Sequence, residues 1–176
     1  MKTLIGIPTL NGPERLERVL ASISYFTDLS EAVVVVSDDF STPENLERNK
    51  EVVHRYDVPL LTAPQRLGVS QQWNRLVRHV PDADLVVLLN DDIEVVRDWL
   101  DVLTFSLEKN PALGMLALRC ETGVIKRDCP PRPMIDYNEA HLMTGGGSLV
   151  SAGGACFAFR RADWESVGWF DERYFC

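Results

Sequence analysis

The sequence predicts an α/β fold with a mostly parallel sheet and helices on both of its faces. Over the first 118 residues, five short apolar segments alternate with four amphipathic segments. The second apolar segment, residues 32–36, is mostly β-branched and carries no charge, as expected of a strand that is buried on both faces. Strands that alternate with helices in this way form parallel sheets through helical crossovers.

Hydrophobic periodicity places the individual elements along the chain. The strands are expected at residues 3–7, 32–36, 58–62, 85–89 and 114–118. The first helix has apolar residues at the spacing of one helix face, namely Leu16, Val19, Leu20 and Ile23. A capping box at residues 41–44 predicts the start of the second helix, and Ser70 the start of the third. The fourth helix is expected at residues 98–109.

The periodic pattern ends after residue 118. Residues 119–150 contain a proline-rich stretch and three consecutive glycines without a clean period, which is typical of a long functional loop. We expect this loop to order over a bound ligand. A strand at residues 155–160 and a short helix at residues 162–167 follow it.

Composition excludes several classes of protein. The chain carries 18 Lys and Arg residues against 26 Asp and Glu residues, a net charge of −8, so we expect no binding to a nucleic-acid backbone. No apolar run of about 20 residues and no signal-peptide pattern is present, which predicts a cytoplasmic protein without a transmembrane segment in this chain. The four cysteines lack C-x-x-C spacing, which argues against a zinc site.

Two predicted strands end in adjacent acids, and ligands of such sheets bind beyond the carboxyl ends of the strands. Asp91 and Asp92 directly follow a buried strand. Two crowded carboxylates repel each other unless a cation or donors neutralise them, and Mg²⁺ and Mn²⁺ prefer oxygen ligands. We therefore expect a divalent metal at this pair. The alternative is a helix cap beside a solvated acid.

The other acidic pair, Asp38 and Asp39, has two interpretations of similar weight. Its carboxylates accept hydrogen bonds from a nucleobase and its sugar, or they form a helix cap and a turn. The sequence contains neither G-x-G-x-x-G after the first strand nor G-x-x-x-x-G-K-[ST] anywhere. The dinucleotide-binding and P-loop interpretations therefore lack their main support.

Five segments carry a family resemblance, in the order in which they occur. They are the opening Ile7-Pro8-Thr9-Leu10-Asn11; residues 34–41, similar to V-V-D-D-G-S with Phe40 in place of glycine; residues 67–74, similar to N-x-G-x-x-x-A-x-N with Gln65 or Arg66 where the first asparagine is common; the N-D-D triplet at residues 90–92; and residues 153–157 with 167–173, similar to G-G-F-D-E. Together they resemble glycosyltransferase family 2, whose members are inverting enzymes with the GT-A fold. The resemblance covers residues 3–175 and implies a Rossmann-like sheet.

The resemblance implies a role for each matching residue. Thr9 and Asp39 would contact the base of a nucleoside diphosphate, Asp91 would face the ribose or the metal, and Asp92 would coordinate Mn²⁺ or Mg²⁺. The complete nucleotide-binding set that it implies is Pro8, Thr9, Asn11, Asp38, Asp39, Arg66, Asn74 and Asp91.

The catalytic base of the family lies shortly after the F-D-E segment. This sequence ends at Cys176, before such a position, so the resemblance implies a fragment that lacks the C-terminal part. Asp171 and Glu172 are the carboxylates nearest to that position and are the candidates for the base.

The predicted function is transfer of a sugar from a nucleoside diphosphate sugar, UDP first, to a hydroxyl group of a glycan, lipid-linked or protein acceptor, with inversion. Residues 1–118 would form the donor half of the domain and residues 119–176 the acceptor half. Trp169, Phe170 and Tyr174 are candidates for stacking on a sugar ring.

Two other functions stay open at this point. One is a non-catalytic module that holds a nucleotide sugar or a glycan. The other is a nucleotidyltransferase, although residues 11–14 lack the glycine-rich basic loop that would bind a triphosphate.

Overall fold

The computed structural model describes residues 1–118 and 155–173, which build one six-stranded sheet covered by helices. The strands are β1 (Thr3–Thr9), β2 (Ala32–Asp38), β3 (Leu60–Thr62), β4 (Leu85–Leu89), β5 (Met115–Ala117) and β6 (Cys156–Arg160). Their order in the sheet is β3-β2-β1-β4-β6-β5, and the first four in that order run parallel. The predicted α/β fold with a mostly parallel sheet is confirmed.

Strand β6 lies antiparallel between β4 and β5 and forms ladders with both. The sequence predicts the position of this strand in the chain within one residue, but its place in the sheet does not follow from its apolar pattern. Strand β5 therefore has β6, and not β4, as its neighbour.

Strands β1 and β2 both extend two residues beyond their predicted ends. Pro8 pairs with Ser37, and Thr9 pairs with Asp38. A proline fits here because the backbone N–H and C=O groups of successive residues in β1 point alternately towards β2 and β4. The Thr9 carbonyl points towards β2, where it accepts a hydrogen bond from the Asp39 N–H. Pro8 therefore faces β4, where the pairing already ends at Gly6, so the missing N–H breaks no ladder bond.

Helices cover both faces of the sheet, as predicted. They are α1 (Pro13–Phe26), α2 (Pro43–Arg55), α3 (Val69–His79), α4 (Trp99–Lys109) and α5 (Arg161–Val167). The buried residues of α1, α2 and α4 pack on one face of the sheet, and α3 and α5 pack on the other.

Several helix starts differ from the prediction by one residue, and α2 and α3 show why. The N-cap of α2 is Thr42, whose side chain accepts a hydrogen bond from the Asn45 N–H at 3.4 Å. The predicted cap, Ser41, instead donates its hydroxyl to Asp38 at 2.6 Å, so the capping box at residues 41–44 was wrong. Helix α3 begins at Val69, one residue before Ser70, after Gly68 with a positive φ of 81°.

Two adjacent arginines fix β6 to helices on opposite faces of the sheet. Arg161 donates to the backbone carbonyls of Val77, Val80 and Ala83 at and beyond the end of α3, over 2.6–3.0 Å. Arg160 donates to the carbonyls of Leu107, Asn110 and Leu113 at and beyond the end of α4. Cations at helix C-termini satisfy carbonyl groups that have no partner within the helix.

The loop predicted at residues 119–150 and the candidate Tyr174 lie outside the described residues. Within the described ranges, no helix has both the length and the apolar character that crossing a membrane requires.

Candidate functional site

The carboxyl ends of β1, β2 and β4 are joined by hydrogen bonds into one edge of the sheet. The Asp39 N–H donates to the Thr9 carbonyl at 2.9 Å, and the Thr9 hydroxyl donates to Asp91 Oδ2 at 2.7 Å. The Asn11 N–H donates to Ser41 Oγ at 2.8 Å. The structure thus brings together most of the residues that the sequence assigns to the nucleotide.

Asp91 is held from two sides. Besides Thr9, its carboxylate accepts hydrogen bonds from Arg15 Nε and from one terminal nitrogen of Arg15, both at 3.2 Å. Only 12% of the Asp91 side chain is exposed, against 41% of the Arg15 side chain. The hydrogen bond to Asp91 raises the pKa of the Arg15 guanidinium. Arg15, which the sequence analysis did not single out, therefore neutralises one of the two crowded acids.

Gly12 is the residue that allows Arg15 to reach Asp91. A Cβ atom at Gly12 would lie 2.4 Å from a terminal nitrogen of Arg15 and 2.8 Å from Asp91 Oδ2. The φ of Gly12 is −131°, which any residue can adopt, so the need for glycine here is one of space and not of conformation.

Asp92 differs from Asp91 because it is exposed. No cluster of three or more acidic, histidine or cysteine side chains suited to a metal ion occurs in the described part of the chain. Mg²⁺ and similar ions commonly bind through one or two carboxylates and complete their shell with substrate phosphates and water. The carboxylate oxygens of Asp92, at the sheet edge and beside Asp91, fit that mode of binding.

Asp39 is buried and accepts four hydrogen bonds inside the protein. Its Oδ1 accepts from the Leu67 N–H at 2.6 Å, the Gly68 N–H at 3.3 Å and Gln72 Nε2 at 2.8 Å. Its Oδ2 accepts from the Gly68 N–H at 3.2 Å and lies 3.6 Å from Arg66 Nε. Oδ1 thus accepts three hydrogen bonds and Oδ2 accepts one, so Oδ2 is the oxygen that can accept a further hydrogen bond.

Gln72 orients Asp39 and was missed in the sequence analysis. It is 1% exposed, and its Oε1 accepts a hydrogen bond from the Ser37 hydroxyl while its Nε2 donates to Asp39. The available signal was its position, because Gln72 stands where the N-x-G-x-x-x-A-x-N pattern has a small alanine.

Asp38 points away from Asp39, into the protein. It is 1% exposed, and its carboxylate accepts from the Ser41 N–H at 2.8 Å, the Ser41 hydroxyl and Asn49 Nδ2 at 2.8 Å. Asn11 acts on the same loop, because its Oδ1 accepts from the Thr42 N–H at 2.8 Å. The polar atoms of Asp38 and Asn11 thus bind the segment between β2 and α2.

The chain between these anchors contains Phe40 in a left-handed conformation, with a φ of 69°. For a residue with a Cβ atom this conformation costs about 1–2 kcal/mol. The side chain also stays 55% exposed, so burial does not compensate fully for the strain. Asn11 has a positive φ of 51° as well, which asparagine tolerates better.

Asn74 is completely buried on α3 and holds the C-terminal segment. Its Nδ2 donates to the Phe170 carbonyl at 2.9 Å and to Glu172 Oε1 at 2.8 Å, and its Oδ1 accepts from the Phe170 N–H. Arg78 forms an ion pair with the same Glu172 oxygen at 3.2 Å. The structure therefore joins Asn74 to Glu172, and not to Asp39 or Asp91.

Asp171 forms an ion pair with Arg173 at 2.6 Å. The hydrogen bonds from Arg173 lower the pKa of the Asp171 carboxyl to about 2. A carboxylate with so low a pKa is a weak acceptor of protons, since general bases work best with a pKa near the working pH.

The aromatic candidates in this segment divide into one packed, half-buried ring and one exposed ring. Phe170 packs against Trp73 and Trp164, with ring centroids 4.8 Å and 4.1 Å apart. Trp169 is 43% exposed, and the Arg78 guanidinium lies 4.6 Å from the centre of its ring.

Several solved structures of glycosyltransferases share this fold. The mannosyltransferase PcManGT from Pyrobaculum calidifontis, in complex with GDP-Man and Mn²⁺, matches with a TM-score of 0.72 and 20% identity, over 97% of this chain and 48% of that chain. S. aureus TarS 1–349 matches with a TM-score of 0.71 and 17% identity, over 100% and 52% of the two chains. GalNAc-T7 with UDP, GalNAc and Mn²⁺ matches with a TM-score of 0.70 and 18% identity, over 97% and 37%.

These likenesses show the GT-A fold, and the chain spans about half the length, or less, of the solved chains that it matches. No curated protein sequence matches the chain. Residues 4–168 match the profile of glycosyl transferase family 2, which covers nearly the whole sequence and both strand-end acidic pairs, and the chain therefore belongs to glycosyl transferase family 2.

Proposed function

We propose that the protein binds a nucleoside diphosphate sugar, with UDP as the nucleotide, at the edge formed by β1, β2 and β4, and that it transfers the sugar to an acceptor hydroxyl with inversion. The observation that carries the proposal is the convergence of one buried, oriented acid, Asp39, and one exposed acid, Asp92, on that edge. UDP and GDP-Man are bound in two of the similar solved structures, which makes GDP the competitor to test.

The nucleobase would bind at Asp39. Its Oδ2 has one weak hydrogen bond, at 3.2 Å, and can accept another from a ring N–H of the base. Thr9 and Pro8 would line the other side of the base, and Arg66, at 3.6 Å from Asp39, would approach the nucleotide from the loop before α3. Asn11 and Asp38 would act indirectly, by fixing the segment between β2 and α2.

The diphosphate would bind at the second acidic pair. Asp91, already neutralised by Arg15, would accept a hydrogen bond from a ribose hydroxyl, and Asp92 would hold a Mn²⁺ or Mg²⁺ ion. When bound, such an ion supplies positive charge that stabilises the departing diphosphate. Residues 1–118 would thus form the donor half of the domain.

The acceptor half would include residues 119–176. Trp169 is the ring that we propose for contact with a sugar acceptor, because it is exposed while Phe170 is packed. We propose that Asn74 and Glu172 position this segment, since Glu172 is tied to Asn74 and Arg78. The low pKa of Asp171 makes it a poor base, and we assign the base to no described residue.

The rival function is a module that binds a nucleotide sugar without transferring it. Incubation with UDP-sugars and candidate acceptors, with release of UDP as the readout, separates the two functions. Release that depends on the acceptor supports transfer, whereas tight binding without release supports the binding module. The cytoplasmic location inferred from the sequence stays a prediction.

Binding itself is tested by calorimetry with UDP and with GDP, in Mn²⁺ and in excess chelator. We expect tighter binding of UDP with Mn²⁺, and the Asp92→Asn variant should lose that gain without losing stability, because Asp92 is exposed. Glu94→Gln is the matched control: it removes one negative charge two residues away, from a side chain whose nearest cation is Arg18 at 3.8 Å. Equal loss in both variants, or equal affinity in chelator, would refute the assignment of Asp92.

A further inference from the structure

Phe40 is a strained and exposed aromatic residue beside the acid that we assign to base recognition. Its φ of 69° is unfavourable for any residue with a Cβ atom, and its side chain is 55% exposed. Within the described ranges, Phe40 has no ring or cation partner. Strained residues of this kind persist where the surrounding structure fixes them, and they concentrate at functional sites.

The surrounding structure fixes Phe40 from both directions along the chain. On its N-terminal side, the Asp39 N–H is bonded to the Thr9 carbonyl and the Asp39 carboxylate to the loop before α3. On its C-terminal side, the N–H and the hydroxyl of Ser41 are both bonded to Asp38.

A buried polar network supports that second anchor. Asp38, Ser41 and Asn49 are 1%, 6% and 0% exposed, and Asn49 Nδ2 donates to Asp38 at 2.8 Å. Asn11 adds bonds to Ser41 and Thr42. These buried polar groups together hold the backbone of the exposed Phe40 in a single conformation.

From this arrangement we infer that Phe40 is the platform on which the nucleobase stacks, while the edge of the base bonds to Asp39. This inference rests on the proposed nucleotide site and adds to it a residue that binds the nucleobase. A backbone held in one conformation before the ligand arrives loses little conformational entropy on binding. Every base offers a π-face, so Phe40 contributes to the binding of UDP and GDP alike, and discrimination between them falls to Asp39.

The experiment compares Phe40→Ala with Phe40→Gly, because both lack the ring and only alanine keeps a Cβ atom at the left-handed position. Calorimetry with UDP and Mn²⁺ should show a roughly ten-fold loss of affinity in both variants, within the range typical of one base stacked on one aromatic ring. Urea unfolding should place the midpoint of Phe40→Gly above that of Phe40→Ala. Phe40→Trp should keep the affinity of the unchanged protein.

Two controls separate stacking from other causes. Pyrophosphate with Mn²⁺ lacks a base, so its affinity should be unchanged by Phe40→Ala. Phe105→Ala removes a ring that is 60% exposed on α4, and it should leave UDP binding unchanged. Equal losses for UDP and pyrophosphate would overturn the inference, because they would indicate a displaced loop.

Failure of this inference differs from failure of the proposed function. If the unchanged protein binds UDP with Mn²⁺ and Phe40→Ala binds it equally well, the platform is refuted and the nucleotide site stands. If the unchanged protein binds neither UDP nor GDP, the proposed function is refuted together with the platform. Equal urea midpoints for the alanine and glycine variants would refute the strain at Phe40.

Discussion

Replacing Gly12 with alanine is expected to break the contact between Arg15 and Asp91. The new Cβ atom would lie 2.4 Å from a terminal nitrogen of Arg15 and 2.7 Å from its Cζ atom, closer than real Cβ atoms approach other atoms. Because the φ of Gly12 is −131°, alanine brings no backbone strain of its own. The guanidinium is the movable group, so we expect it to swing away and leave the carboxylate of Asp91 without its cation.

The size of the effect follows from the exposure of the two partners. A hydrogen bond to a charged group contributes about 1.5–3 kcal/mol when it is shielded from water. Arg15 is 41% exposed and therefore screened, which lowers this contribution, whereas Asp91 is only 12% exposed and would be left unpaired. We expect a loss of about 1–2 kcal/mol in the free energy of unfolding through this contact.

A double-mutant cycle isolates that contact from the effect of alanine at the helix start. Gly12 is the N-cap of α1, and alanine is a poor N-cap residue in any background. Urea unfolding is measured for Gly12→Ala, Arg15→Met and the double variant. In the Arg15→Met background no guanidinium is left to displace, so Gly12→Ala should cost only the loss of the cap and the close approach to Asp91 Oδ2, both of which are also present in the unchanged background.

The coupling between the two substitutions should therefore equal the lost contact, about 1–2 kcal/mol. If Gly12→Ala lowers the free energy of unfolding equally in both backgrounds, Arg15 is not the group that alanine displaces. The explanation of Gly12 would then be wrong.

Two further predictions concern the acids on either side of the site. Gln72→Ala should lower the free energy of unfolding by about 1–3 kcal/mol, because it leaves the buried Ser37 hydroxyl without its acceptor and removes one of the three donors to Asp39 Oδ1. Calorimetry should show weaker UDP binding, and unchanged UDP affinity would show that Asp39 needs no such support. For Asp171, a pKa lowered from 3.8 to about 2 means that its ion pair stabilises the fold above that range and is lost as the pH falls through it. Asp171→Asn should therefore leave the pH dependence of unfolding and of UDP release unchanged above about pH 5, and a shift of either profile there would return Asp171 to the list of candidate bases.

Local patterns were sufficient to predict most elements of the fold. The four parallel strands and their helices lie within about two residues of their predicted bounds, because apolar periodicity is a property of the chain itself. The meeting of Thr9 and Asp91 at one sheet edge also followed, since the carboxyl ends of parallel strands share an edge. Strand β6 shows the limit of such patterns, because its apolar residues do not specify that it pairs with β4 and β5.

The roles of neighbouring residues were decided only by tertiary structure. Consecutive side chains of an extended chain point to opposite faces, and the sequence establishes this alternation without saying which helix covers each face. Asp38 lies on the face that carries α2 and bonds to Asn49, whereas Asp39 lies on the face that carries α3 and bonds to Gln72.

The same division separates Arg160, which binds carbonyls near the end of α4, from Arg161, which binds those near the end of α3. In each pair the sequence determined the residue type and the alternation. The packing of the helices then decided which side chain met which partner, because that depends on contacts between segments far apart in the chain.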